Sequence, residues 1–251
     1  MIDQNTKNSD EGSAVFPSAR VGVAGPSLKT VAARSQEMNR RCAIHEGSGH
    51  ALVGIALLGP SCVAEVSIVP GPGYQGRCIG PEYREPLCLE GAERQTDTFI
   101  ALAADVRATV PEIGSNRIRD AKFLIRASAT CAQLLAGSIA ESILWPGEPP
   151  LPAQHDEDEA RALAKLAVAS PDAVDTFLEY CRAEARALIE EYRDVGSAIA
   201  DGLIEHGTLS CRQVLEIIAA AMTRRALAAE RVRRCDWARI CANASTFRPD
   251  R

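Results

Sequence analysis

The run His45-Glu46-Gly47-Ser48-Gly49-His50 is the tightest constraint on how this chain folds. It sets two imidazoles five residues apart, around two glycines, within a stretch whose flanks carry a helical apolar pattern. At 3.6 residues per turn, positions four apart lie about 40° from each other around the axis, and positions five apart about 140°. A regular α-helix therefore aims the two rings at different faces. A π-type turn absorbs the extra residue and returns both rings to one side. Each glycine costs a regular helix about 1 kcal/mol relative to alanine, so two of them here argue that this turn is not regular.

Two imidazoles on one side, with a carboxylate beside them, are what a hydrolytic zinc site requires. The imidazoles hold the ion, the carboxylate takes a proton from water, and a fourth position stays open for substrate. His45 and His50 are thus candidate ligands and Glu46 the candidate general base. The plainer alternative is one partly buried and one surface histidine on an ordinary helix. Two of the chain's four histidines stand within this run, with Glu directly after the first, which favours the metal site.

The surrounding pattern predicts a mainly α fold with a small two-stranded β element next to the zinc-site helix. A helix is expected from about Val31 to Leu58, stopped by Gly59-Pro60. Cys62 to Val69 and Tyr74 to Ile79 read as two short strands around Pro70-Gly71-Pro72-Gly73. Helices follow over Ala92 to Ala108 and Arg117 to Trp145. The proline-rich connector Glu148-Pro149-Pro150-Leu151-Pro152 then leads into a helix with the acidic start Asp156-Glu157-Asp158-Glu159. Ser170-Pro171-Asp172 is a helix start, Val195 to His206 a shorter helix stopped by Gly207, and Ser210 with Gln213 a capping box for the last helix. Residues 1–30 lack a sustained apolar period and read as a disordered leader.

Composition narrows the function classes. The chain has 251 residues, 46% hydrophobic and 24% charged, with a net charge of −5, which disfavours general nucleic-acid binding. The longest uninterrupted apolar stretch, Ala51 to Leu58, is far shorter than the roughly 20 residues of a membrane span. The N-terminus lacks the basic start and apolar run of a secretory signal, so the expected compartment is the cytoplasm. Nine cysteines without a C-x-x-C pair read as reduced thiols. No G-x-x-x-x-G-K-[ST] phosphate loop and no G-x-S-x-G elbow occurs in the sequence. Arg224, Arg225, Arg231, Arg233, Arg234 and Arg239 make the final helix basic, and in a chain of net negative charge they read as a solvated face.

Cys42-Ala-Ile-His-Glu-Gly-Ser-Gly-His-Ala-Leu-Val-Gly, followed by Val66-Ser-Ile-Val-Pro-Gly and Gly73-Tyr-Gln-Gly76, resembles the peptidase domain of the FtsH-type AAA zinc metalloproteases. That family has H-E-A-G-H-A at this place. The likeness continues through Leu134-Leu-Ala-Gly-Ser-Ile-Ala-Glu-Ser-Ile-Leu, Gln154-His155-Asp156, Ala187-Leu-Ile-Glu-Glu-Tyr-Arg-Asp and Glu205-His-Gly-Thr-Leu-Ser. It covers about Arg41 to Ile218 and is weak between Pro81 and Ala127. The resemblance implies an FtsH-like peptidase domain over 31–230, preceded by the leader and followed by a basic extension over 231–251. It implies zinc held by His45, His50 and Asp156, with Glu46 as base. On the residues alone Asp156 is a helix N-terminal charge, and His155 is a rival third ligand. The spacing here has the H-E-x-x-G-H form of the dipeptidyl peptidase III family, in which such a helix holds catalytic zinc; where that family's second motif has a ligand Glu, this chain has Tyr180.

The expected activity is zinc-dependent hydrolysis of peptide bonds, independent of ATP or driven by a partner. The implied partners are a protein or peptide substrate and either further copies of the chain or a separate ATPase, with no nucleic acid and no membrane span. The Cys62 to Val69 strand is expected to pair with an extended substrate. The alternative is a catalytically inactive scaffold or regulatory interaction module.

Overall fold

The computed structural model describes residues 35–71, 74–80 and 117–246, with single positions at 106, 108 and 110. The expected leader over 1–30 and nearly all of the expected helix over Ala92 to Ala108 lie outside the described residues.

The first element is one continuous rod wound in three ways: α1 (Gln36–Ala43), a π-helical stretch π1 (Ile44–Ala51) and α2 (Leu52–Leu58). Ser35 caps it, its Oγ accepting a hydrogen bond from the Met38 amide at 3.1 Å. Gly59 ends it at φ 88°, a conformation that glycine adopts without penalty. A 3₁₀ turn over Pro60–Cys62 then leads into the sheet, so the strand is shorter than the alternation over Cys62 to Val69 predicts.

Among the described residues the sheet has three antiparallel strands rather than the expected two. β1 (Glu65–Ser67) lies between β2 (Arg77–Ile79) and β3 (Thr208–Ser210), in the order β2-β1-β3. Val66 stands opposite Cys78 on one side and Leu209 on the other, and all three are buried as one apolar row. β3 escapes sequence reading because its three residues sit between the Gly207 helix stop and the Ser210 cap, too short for an alternation to register. β1 therefore has a partner on both sides over these residues, and the expectation that it pairs with substrate fails.

Among the described residues the chain then forms α3 (Arg117–Leu144), α4 (Gln154–Ala167), α5 (Pro171–Glu191) and α6 (Arg193–His206). α3 is the central one, packing on π1, α4 and α5 through small and aliphatic residues such as Ala127, Cys131 and Leu134. Ala121–Leu144 is long and apolar enough to cross a membrane, yet 72% of its most apolar window is buried inside the fold, where a core helix uses its apolar faces. Ser170 caps α5 by accepting from the Ala173 amide at 3.2 Å.

The last helix, α7 (Cys211–Thr246), starts with the expected capping box. Ser210 Oγ accepts from the Gln213 amide at 3.4 Å, while Gln213 Oε1 accepts from the Ser210 amide at 2.9 Å. The helix continues unbroken across residue 230 to Thr246. Among its arginines, Arg233 and Arg234 pair with Glu230 and Arg239 with Asp236 on the same helix, while Arg225 pairs with Glu191 of α5.

Candidate metal centre

The π-winding is explicit in the backbone. The Leu52 amide reaches back five residues to the Gly47 carbonyl, and all eight residues of π1 are buried. Packing explains both glycines. A Cβ on Gly47 would lie 2.8 Å from Leu203 Cδ1 and 2.9 Å from Ile199 Cγ2 of α6. A Cβ on Gly49 would lie 2.7 Å from the Ala136 carbonyl oxygen and Gly137 Cα of α3. The same residues that make the irregular turn cheap let the rod sit pressed between two helices. Ser48, between them, donates its hydroxyl to the Gly196 carbonyl at 2.8 Å.

His45 and His50 consequently face one another, ring centroids 4.9 Å apart and planes inclined at 72°. His50 Nδ1 lies 2.8 Å from the Gln133 carbonyl oxygen. A carbonyl only accepts, so Nδ1 carries the hydrogen and Nε2 is turned inward. His45 Nδ1 stands 2.7 Å from Glu141 Oε1, which orients that ring in the same sense. The third group is Asp156, in the first turn of α4. Its Oδ2 is 3.6 Å from His50 Nε2 and 3.9 Å from His45 Nε2. One ligand atom from each of the three residues lies within 4.8 Å of the others. Tetrahedral zinc with bonds of about 2.0–2.1 Å sets nitrogen and oxygen ligands about 3.3 Å apart, close to the two distances from Asp156 Oδ2 to the imidazoles. The trio of buried His45 and His50 and half-buried Asp156 could hold a metal ion.

The local field favours a cation between these groups. Burial alone would lower the pKa of His45, but the Asp156 and Glu141 carboxylates beside it and nearby Glu46 outweigh burial and raise it from 6.5 to about 10. Burial would raise the pKa of Asp156, but the two imidazoles outweigh it and hold this carboxyl well below the usual carboxylate range. Three carboxylates surrounding two imidazoles call for positive charge at the centre.

Glu46 is buried and lines the same cavity, of about 240 Å³, as the three candidate ligands; Tyr74 and Arg77 border it from the β2 side. Gly76 makes room for it: a Cβ there would lie 2.8 Å from Glu46 Cγ. Asp156, and not its neighbour His155, joins the cluster; His155 is exposed and borders the cavity.

Sequence reasoning did not single out the groups behind the ligands. Glu141 is only 1% exposed although it is the sole carboxylate between Ala121 and Leu144, and that isolation in an apolar helix is a signal that could have found it. Gln133, equally buried, donates its Nε2 to the His50 carbonyl at 3.3 Å. Gly137 yields its space to an imidazole, since a Cβ there would come within 2.3 Å of His45 Nε2. Comparison with known protein families and with curated proteins finds no match to this chain.

Proposed function

We propose that this chain is a zinc-dependent metallopeptidase. The observation that carries the reading is the convergence of His45 Nε2, His50 Nε2 and Asp156 Oδ2 within one cavity that Glu46 also lines. Two imidazoles and one carboxylate form the donor set of catalytic zinc with a position left open. The same set also suits non-haem iron, and the carboxylate of Glu46 next to it favours hydrolysis. The order of motifs that resembles the FtsH-type peptidases supports the same assignment.

His45, His50 and Asp156 would hold the zinc, which would supply Lewis-acid chemistry at this end of the cavity. His45 and His50 hold their lone pairs inward through the Nδ1 bonds to Glu141 and the Gln133 carbonyl. Glu46 accepts the proton of the attacking water and returns it to the leaving amine. Tyr74 and Arg77 border the cavity where β2 approaches it, and no strand pairs with the outer edge of β2 among the described residues. An extended peptide lying along that edge would present its backbone to the centre.

Glu46→Gln keeps the shape of the side chain and removes its ability to take a proton. The expected result is zinc content unchanged and casein hydrolysis reduced at least about a hundredfold, the scale of a lost general base. Hydrolysis at the parent rate by this variant would overturn the assignment.

A further inference from the structure

The connector that precedes α4 has an unusual chemistry. In Pro149-Pro150-Leu151-Pro152 only Leu151 carries a backbone N–H, because proline has none. That single donor is directed at Glu141, 3.2 Å from Oε1 and 3.1 Å from Oε2. The same buried carboxylate meets His45 Nδ1 through Oε1 at 2.7 Å and accepts from Arg41 Nε and Nη2 through Oε2, each at 3.1 Å. Arg41 also spans to the connector itself, donating to Glu148 Oε2 at 3.0 Å and to the Pro149 carbonyl. Glu141 is thus the meeting point of the rod, α3 and the connector. A proline-rich run is stiff, so fixing Leu151 also fixes where α4 begins and where Asp156 stands.

We propose that Glu141 is a positioning residue that latches the connector 148–152 to His45, so that docking of the connector and assembly of the three-ligand centre are a single event. The ligands alone do not require this. His45 needs only an acceptor at Nδ1, and a water would serve, whereas here the acceptor is shared with the only backbone N–H that residues 149–152 possess. The latch makes metal affinity depend on a backbone N–H and on an arginine that are not among the three candidate ligands. This inference rests on the metal-centre reading given above.

The test uses the full chain, with zinc affinity measured by chelator competition and ligand geometry by the visible absorption of the cobalt-substituted protein. Leu151→Pro deletes the N–H and suits an extended proline run; Leu151→Ala keeps the N–H and deletes more of the side chain. The expected result is zinc binding weakened tenfold or more by Leu151→Pro and less than threefold by Leu151→Ala, with Glu141→Gln weakened about 10–100-fold, the range for lost outer-shell partners. Arg41→Met, which leaves the Leu151 N–H in place but removes the arginine's bonds to the same carboxylate and to the connector, should also lose tenfold or more, and it decides the matter if Leu151→Pro fails to fold. Parent-like affinity in Leu151→Pro or Arg41→Met, or an equal loss in Leu151→Pro and Leu151→Ala, overturns the latch. A parent chain that takes up no metal overturns the metal centre itself, which keeps the two failures distinct.

Discussion

At the scale of single residues, the centre is organised by what lies on the far side of each imidazole. An Nδ1 that donates to the Gln133 carbonyl leaves His50 one way to present its lone pair, and the Glu141 carboxylate does the same for His45. The carboxylates that orient and face His45 also bind its proton when no metal competes. Its pKa rises from 6.5 to about 10, so this interaction stabilises the metal-free fold fully below pH 6.5 and is lost as pH rises through about 10. Asp156, held low, adds stability above its ordinary 3.8 that is lost as pH falls below it. Urea unfolding of metal-free protein should therefore show stability declining between pH 6.5 and 10, and His45→Gln should remove that decline. A flat profile in the parent would mean that His45 carries no such proton.

At the scale of elements, the glycines decide how closely the helices approach. Gly137 lies inside α3, where alanine is intrinsically better by about 1 kcal/mol. Packing dictates the opposite sign, because the new Cβ would fall 2.3 Å from His45 Nε2. Gly137→Ala should lower the urea midpoint, with an overpacking cost of about 1–3 kcal/mol, and should abolish zinc uptake. An increase in stability would show that α3 and π1 are not in register as described. The sequence revealed the unusual winding of Ile44–Ala51 because spacing and glycine content are local properties. It revealed the caps at Ser170 and Ser210 for the same reason. It did not reveal Glu141 as the partner of His45, which is 96 positions away and adjacent only through helix packing. β3 was hidden by its length, and with it the fact that β1 is an inner strand.

At the scale of the whole molecule, the centre sits where π1, α3, the start of α4 and the edge of β2 meet. No one element holds it: the rod brings two imidazoles, α3 orients them, and the connector delivers the aspartate from more than a hundred positions away. The mainly α architecture was legible because long apolar periods, glycine stops and proline breaks accumulate over many residues. The choice of Asp156 over His155 was legible only through a family resemblance, since on its own the residue reads as a helix N-terminal charge. In the fold the choice is geometric, with Asp156 in the cluster and His155 at the cavity border. The most direct test is the metal content of the purified chain after equilibration with zinc and exhaustive dialysis. The expected result is about one equivalent of zinc in the parent and in Glu46→Gln, and none in His50→Ala or Asp156→Ala. A parent chain that emerges free of metal, or that keeps its zinc when Asp156 is removed, would contradict the account.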